Sequence, residues 1–272
     1  MIRTIWVLLA GAVLTLALAT RVMVSSWTAR GRANPVCDRM ARLWARILMK
    51  WAGARVEMEG IGKVDWDRAH VVIANHQSWF DVFFLMGYLP GKARFVGKEE
   101  LTKIPIFGNA WKNCGHVAVD RTDRSSAISS LDAAGRRVRD ERLNIVLFPE
   151  GTRSTDGSLG PFKKGAFVLA IKTGVPVLPV AISGTRAVMA KGSFRIRPGR
   201  VRFRVGEPIP TDGLTGADRN DLLETSRVAL LALMDEEDRA LQPEAPPTNS
   251  SEARAPRPGP ADAGSDTDEE GE

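Results

Sequence analysis

From residue 55 to residue 207 the chain alternates short apolar runs of strand length with stretches of helical periodicity. That alternation restricts the body to an α/β architecture, in which helices bury the faces of a sheet. Strands are expected at residues 55–59, 71–74, 93–97, 116–119, 144–148 and 175–182. Residues 126–139 carry Ile128, Leu131, Ala134 and Val138 at helical spacing, and Gly165–Thr173 reads as a further helix stopped by Gly174. Residues 194–197 and 200–205 flank Pro198-Gly199 and are expected to form a hairpin. Arg195, Arg197, Arg202 and Arg204 alternate there with apolar residues. A solvated outer face explains that pattern, and a docking surface for an acidic partner is the sharper alternative. A final helix is expected from near Thr215 or Asp218 to about Leu241.

Ahead of this body, residues 5–20 are almost wholly apolar, a run close to the roughly 20 residues that span a bilayer. Arg3 before it also fits a cleaved signal. The following segment speaks against cleavage. Met40, Leu43, Trp44, Ile47, Leu48 and Trp51 form one helical stripe, with Arg39, Arg42, Arg46 and Lys50 opposite. Such a helix suits a membrane interface, or equally a packed helix with a solvated basic face. The expectation is a membrane-anchored protein at the inner, cytoplasmic membrane with its body on the cytoplasmic side.

Charge points the same way. The net charge is +6, but residues 243–272 hold eight acids against two bases, so the rest of the chain carries about twelve positive charges. A basic body calls for an anionic partner: phosphate, nucleic acid or a membrane surface. The acidic, Pro-rich tail has little to bury and is expected to be disordered. Cys37 and Cys114 stand in no paired or metal-like spacing, which predicts a reducing compartment without disulfides.

The candidate chemistry lies at three strand ends. The run at 71–74 breaks into Asn75-His76-Gln77-Ser78-Trp79-Phe80-Asp81. On one helix, His76 and Asp81 would lie about 140° apart and could not meet. With His76 in the loop and Asp81 on the first helical turn they could, and His76 would be a base oriented by a carboxylate. A capping loop, with Asn75 or Ser78 as N-cap, explains the same residues. Gly115–Arg121 and Phe148-Pro149-Glu150-Gly151-Thr152-Arg153-Ser154 each end a strand with an arginine, a side chain whose donor fork matches phosphate. Gly151 would let backbone N–H groups approach that anion.

Taken together, Asn75-His76 with Asp81, Gly115 with Asp120-Arg121, Phe148–Ser154 and the apolar block Val175-Pro176-Val177-Leu178-Pro179-Val180 resemble the 1-acyl-sn-glycerol-3-phosphate acyltransferase family of glycerolipid acyltransferases. The resemblance covers residues 55–207. It implies a mixed sheet flanked by helices, an N-terminal pair of membrane-associated helices, and His76 oriented by Asp81 as the base for acyl transfer to a lysophospholipid hydroxyl. It implies phosphate binding at Arg121, Glu150, Gly151 and Arg153, with Lys98 a further basic position near the head group. The acyl donor would be acyl-CoA or acyl-carrier protein, with no metal, no cofactor and no nucleic-acid partner. The implied product is phosphatidic acid. Lyso-ornithine lipid and glycerol-3-phosphate are the rival acceptors. The domains are expected at 1–54 (anchoring helices), 55–241 (catalytic) and 242–272 (tail).

Other classes fit less of the pattern. No Gly-x-Ser-x-Gly elbow supports a serine hydrolase. Cys114, His116 and Asp120 have ligand chemistry but no familiar metal spacing. A non-enzymatic anionic-lipid-binding protein explains the charge, but not His, Asp, Glu and Arg in order at strand ends.

Overall fold

A computed structural model describes residues 1–29, 35–120 and 124–242. The chain opens with helices α1 (Ile2–Ala29) and α2 (Pro35–Ala52), then β1 (Ala54–Glu59), β2 (His70–Ala74) and α3 (Trp79–Tyr88). Next come β3 (Lys92–Lys98), α4 (Phe107–Asn113), β4 (Val117–Val119), α5 (Arg124–Asp140) and β5 (Leu143–Leu147). It continues through α6 (Gly165–Thr173), β6 (Val177–Ser183), α7 (Thr185–Val188), β7 (Gly199–Val205), α8 (Arg219–Leu233) and α9 (Glu236–Arg239). The described strands form one seven-stranded mixed sheet in the order β1-β7-β6-β2-β5-β3-β4. Only the β6–β7 pair is antiparallel among them.

The sheet is buried on both faces because its central strands alternate between two cores. In β2, Val72 and Ala74 join Phe80, Phe84 and Leu85 of α3 on one side. Val71 and Ile73 join Phe167 and Leu169 of α6 on the other. Period-two alternation turns successive side chains to opposite faces, so a strand with apolar residues at every position needs helices on both. Phe84 is fully buried, and its truncation to Ala should cost about 3–5 kcal/mol. This double burial makes β2 a rigid mount for the loop that follows it.

The apolar stripe of α2 packs between α1 and the body. Ala45, Met49 and Ala52 join the core, and Trp44 Nε1 donates to Thr15 Oγ1 of α1 at 2.8 Å. Part of the basic face works inside the fold as well. Arg46 Nε donates to Gly87 O at 2.7 Å and Arg42 Nη1 to Leu89 O at 2.8 Å, capping the carbonyl end of α3. Ile2–Trp27 remains long and apolar enough to enter a membrane, and its outward stripe is exposed.

Three expectations are corrected. Residues 194–197 form no strand, because β7 is already paired with β1 on one side and β6 on the other. No edge of β7 is left for a hairpin partner. The alternating arginines split accordingly: Arg195 and Arg197 lie on an irregular loop, while Arg202 bonds Glu57 and Asp235, and Arg204 bonds Glu59. The final helix is broken at Met234-Asp235, where Asp235 turns to Arg202 and Arg239 Nη2 takes the Met234 carbonyl. Cys37 and Cys114 are joined as a disulfide, their Cα atoms 5.4 Å apart across a sequence separation of 77. Packing of α1, α2 and α4 around Ala19, Val22, Met40 and Ala110 brings them together, which spacing along the chain cannot reveal. The acidic tail from residue 243 lies outside the described residues.

Candidate active site

The site is assembled by parallel pairing. β2, β5, β3 and β4 run in the same direction side by side, so their C-terminal ends share one edge of the sheet. That edge receives the loop bearing His76, the loop bearing Glu150–Arg153, and Lys98. In parallel sheets this is where ligands bind, because the strands fix the backbone while the loops beyond them form a crevice.

His76 stands two residues past the end of β2, and Ser78 caps α3 two residues later. Ser78 Oγ accepts from Phe80 N at 3.1 Å, and Asp81 completes a capping box by accepting from Ser78 N at 2.8 Å. The same Asp81 Oδ2 accepts from Gln77 N at 2.6 Å and from His76 Nδ1 at 2.7 Å. Thr185 Oγ1 donates to Asp81 Oδ1 from the start of α7. A carboxylate surrounded by donors takes a proton-bearing Nδ1, which leaves Nε2 of His76 as the basic nitrogen. The imidazole lies flat on Phe148, ring centroids 3.9 Å apart and planes 15° from parallel. Asp81 is fully buried, while the His76 side chain is 14% exposed.

The loop after β5 clamps the backbone of His76 from both sides. Glu150 Oε1 accepts from His76 N at 2.8 Å, and Ser154 N donates to His76 O at 2.7 Å. Glu150 Oε2 accepts from Gly160 N at 2.9 Å, so the side chain ties its own loop to the β2 loop. Burial pushes the Glu150 carboxyl up to about 7, against the backbone N–H groups of Gly160 and His76 that favour its charged form. Both Glu150 carboxylate oxygens are thus engaged by backbone N–H groups of two different loops.

Gly151 has φ 74°, a backbone shape that side chains other than glycine strain to adopt, and a Cβ there would stand 2.8 Å from Lys163 Cε. Arg153 lays its guanidinium 5.0 Å from the Trp79 ring centroid, and its carbonyl accepts from Lys191 Nζ at 2.6 Å. Arg153, Lys191 and Lys163 thus gather positive charge beside His76. Lys98 is exposed at the end of β3, paired with Val119 of β4. Arg121 lies outside the described residues; β4 stops two positions before it.

Sequence reasoning missed Thr185, Trp79 and Lys191. Thr185 follows the apolar strand β6 as Ser183-Gly184-Thr185, a strand-end pattern like the three recognised above. Trp79 and Lys191 carry no such local signal. The metal alternative is overturned at Cys114, which is bonded to Cys37, while His116 Nδ1 accepts from Phe95 N at 3.1 Å. Among the described residues no three His, Cys, Asp or Glu side chains gather into a metal-binding group.

Comparison with known proteins converges on one group. Residues 55–183 match the family model described as Acyltransferase. A 1-acyl-sn-glycerol-3-phosphate acyltransferase of Limnanthes alba is 35% identical over 181 residues, covering 65% of this chain and 64% of the relative. The alpha enzyme of the same name from Homo sapiens is 34% identical over 207 residues, covering 76% of this chain and 73% of the relative. The chain spans between half and two thirds of the length of several plant relatives. The crystal structure of the 1-acyl-sn-glycerophosphate (LPA) acyltransferase PlsC from Thermotoga maritima aligns with a TM-score of 0.71 at 28% identity, covering 85% of this chain and 95% of that one.

Proposed function

Because the chain belongs to the 1-acyl-sn-glycerol-3-phosphate acyltransferase family, we propose that it acylates the free hydroxyl of a lysophosphatidate to give phosphatidic acid. The observation that carries the reading is His76 held through Nδ1 by buried Asp81, with its backbone clamped by Glu150 and Ser154, at the carboxyl edge of the sheet.

His76 Nε2 takes the proton of the acceptor hydroxyl as that oxygen attacks the carbonyl carbon of an acyl thioester. The C–S bond breaks, and the departing sulfur takes a proton from the imidazolium, so the base is regenerated and a free thiol is released. A glycerol hydroxyl ionises far above neutral pH, so a positioned base is worth about 10²–10⁴ in rate. The thioester already supplies the activated acyl group, and the transfer calls for no metal or prosthetic group. Either acyl-CoA or acyl-carrier protein can be the thioester. Arg153, presented on Trp79, takes the acceptor phosphate, with Lys98 as a further cation at the same edge; the family resemblance adds Arg121 to the phosphate-binding residues. Glu150 and Gly151 shape the loop that presents Arg153. The exposed apolar stripe of α1 anchors the protein in a membrane.

The test is thiol release from palmitoyl-CoA and from palmitoyl-acyl-carrier protein by the detergent-purified chain, with lysophosphatidate, lyso-ornithine lipid or glycerol-3-phosphate as acceptor, beside His76→Ala. Release that requires both lysophosphatidate and His76 is the expected result. Release with another acceptor reassigns the substrate, and folded protein that releases no thiol with any acceptor overturns the reading.

A further inference from the structure

The loop 189–198 joins α7 to β7 and is tied down at two places. Near its start, Ser78 Oγ donates to Met189 O and Lys191 Nζ donates to Arg153 O, each at 2.6 Å. These bonds attach it to the candidate active site. Near its end, Ile196 N donates to Thr4 Oγ1 at 3.0 Å, and the Ile196 side chain is buried. That bond attaches it to the first turn of α1.

Between the two ties stands Phe194, 76% exposed, followed by exposed Arg195 and Arg197. The neighbouring turns of α1 expose Ile2, Ile5 and Trp6. The Thr4–Ile196 bond therefore makes one aromatic loop residue and the apolar end of a membrane-competent helix into neighbours. A large apolar residue exposed beside two exposed arginines matches one environment in both respects, the boundary between acyl chains and anionic head groups.

We propose that loop 189–198 is a second bilayer contact, separate from α1 itself. Phe194 enters the acyl boundary of an anionic leaflet, and Arg195 and Arg197 engage lipid phosphates. The same loop holds Ser78 and Arg153, so the contact brings the active-site loops to the membrane surface from which a lysolipid acceptor arrives. The surface assignment deepens the acyltransferase reading and rests on it for that last step.

The experiment uses the full chain, Phe194→Glu and the double variant Arg195→Gln/Arg197→Gln. Partitioning is measured on phosphatidylcholine vesicles with and without roughly 30 mol% phosphatidic acid, where loss of about 1 kcal/mol per basic residue should be readable. On the anionic vesicles Phe194→Glu should partition roughly tenfold less and Arg195→Gln/Arg197→Gln roughly thirtyfold less. Acylation of long-chain lysophosphatidate in those vesicles should fall in parallel, while acylation of a short-chain, water-soluble lysophosphatidate stays within about twofold of wild type. Unchanged partitioning of both variants overturns the proposal. So does equal loss on the two acceptors, which would make the loop part of the site rather than a docking element. A wild-type dimer in detergent that Phe194→Glu converts to monomer, with partitioning unchanged, assigns Phe194 to a self-interface and also overturns it. Failure of wild type to acylate either acceptor defeats the acyltransferase reading, while the partitioning result still decides the bilayer contact.

Discussion

Asp81 Oδ2 receives His76 Nδ1 at 2.7 Å and Ser78 N at 2.8 Å, so one oxygen both orients an imidazole and starts a helix. Capping and base orientation are competing explanations of the sequence, yet in the structure they are one arrangement. The capping box fixes the Asp81 rotamer, and the fixed carboxylate then fixes the tautomer of His76.

This shared oxygen separates two variants. His76→Ala should lower kcat by about 10²–10⁴ and leave the melting temperature near wild type, since the ring sits at the site and caps nothing. Asp81→Asn should lower both turnover and stability, the latter by about 2 kcal/mol through the lost charged cap and a donor facing buried N–H groups. Thermal melts beside thiol-release rates check it; equal stability of the two variants would separate the cap from the base.

Arg153 rests on the Trp79 ring with its guanidinium 5.0 Å from the centroid. Arg153→Ala should raise KM for a phosphate-bearing acceptor roughly ten- to a hundredfold, the worth of about 1.5–3 kcal/mol for a charged hydrogen bond. Trp79→Ala should raise the same KM by a few fold, since an exposed cation–π contact is worth about 0.5–1 kcal/mol. Steady-state kinetics with varied lysophosphatidate decides this, and an unchanged KM in both variants would leave Arg153 a structural role only.

Glu150 makes stability depend on pH in an unusual direction for an acid. Its carboxyl is raised by burial from 4.5 to about 7, so between those values the folded chain holds a proton that the unfolded chain has released. Its contribution is therefore present in full below about 4.5, is lost as pH rises toward 7, and levels off above that. The loss amounts to about 3 kcal/mol, at roughly 1.4 kcal/mol per pH unit of the window. Denaturant midpoints at pH 4.5 and pH 8 for wild type and Glu150→Gln should show the difference between them changing by that order. A constant offset across this range would rule the titration out.

The Cys37–Cys114 bridge closes a loop over a sequence separation of 77. Chain unfolded in denaturant without reductant should therefore show no free thiol to Ellman's reagent, and reduction should remove up to about 4 kcal/mol of stability. Two reactive thiols in unreduced protein would disprove the bridge.

Gln242 sits at the end of the described body, where Leu159 N donates to its Oε1 at 2.7 Å. Removal of residues 243–272 should leave acyl transfer within about twofold of wild type, whereas Gln242→Ala should loosen the loop that contains Gly157 and Leu159 and cost about 1 kcal/mol. Parallel assays and melts of the two proteins test the contrast.

Most strands and the longer helices of the body were legible because their signals are local, whereas the short helices α4 and α7 were not. A buried strand such as β2 is a short apolar run, α6 ends at Gly174 with φ 61°, and the polar residues that interrupt each run mark strand ends. The same signals marked His76, Asp81 and Arg153 as candidates, and the order of the four blocks carried the family resemblance. What tertiary structure alone decided was everything set by contact between distant segments. β7 joins β1 and β6 instead of residues 194–197, since strand pairing depends on which edges the rest of the sheet leaves open. Cys37 meets Cys114, Thr185 reaches Asp81, and Glu150 is buried beneath the backbone of His76. No local pattern encodes these contacts, because backbone propensity acts over a few residues whereas packing couples side chains whatever their separation along the chain.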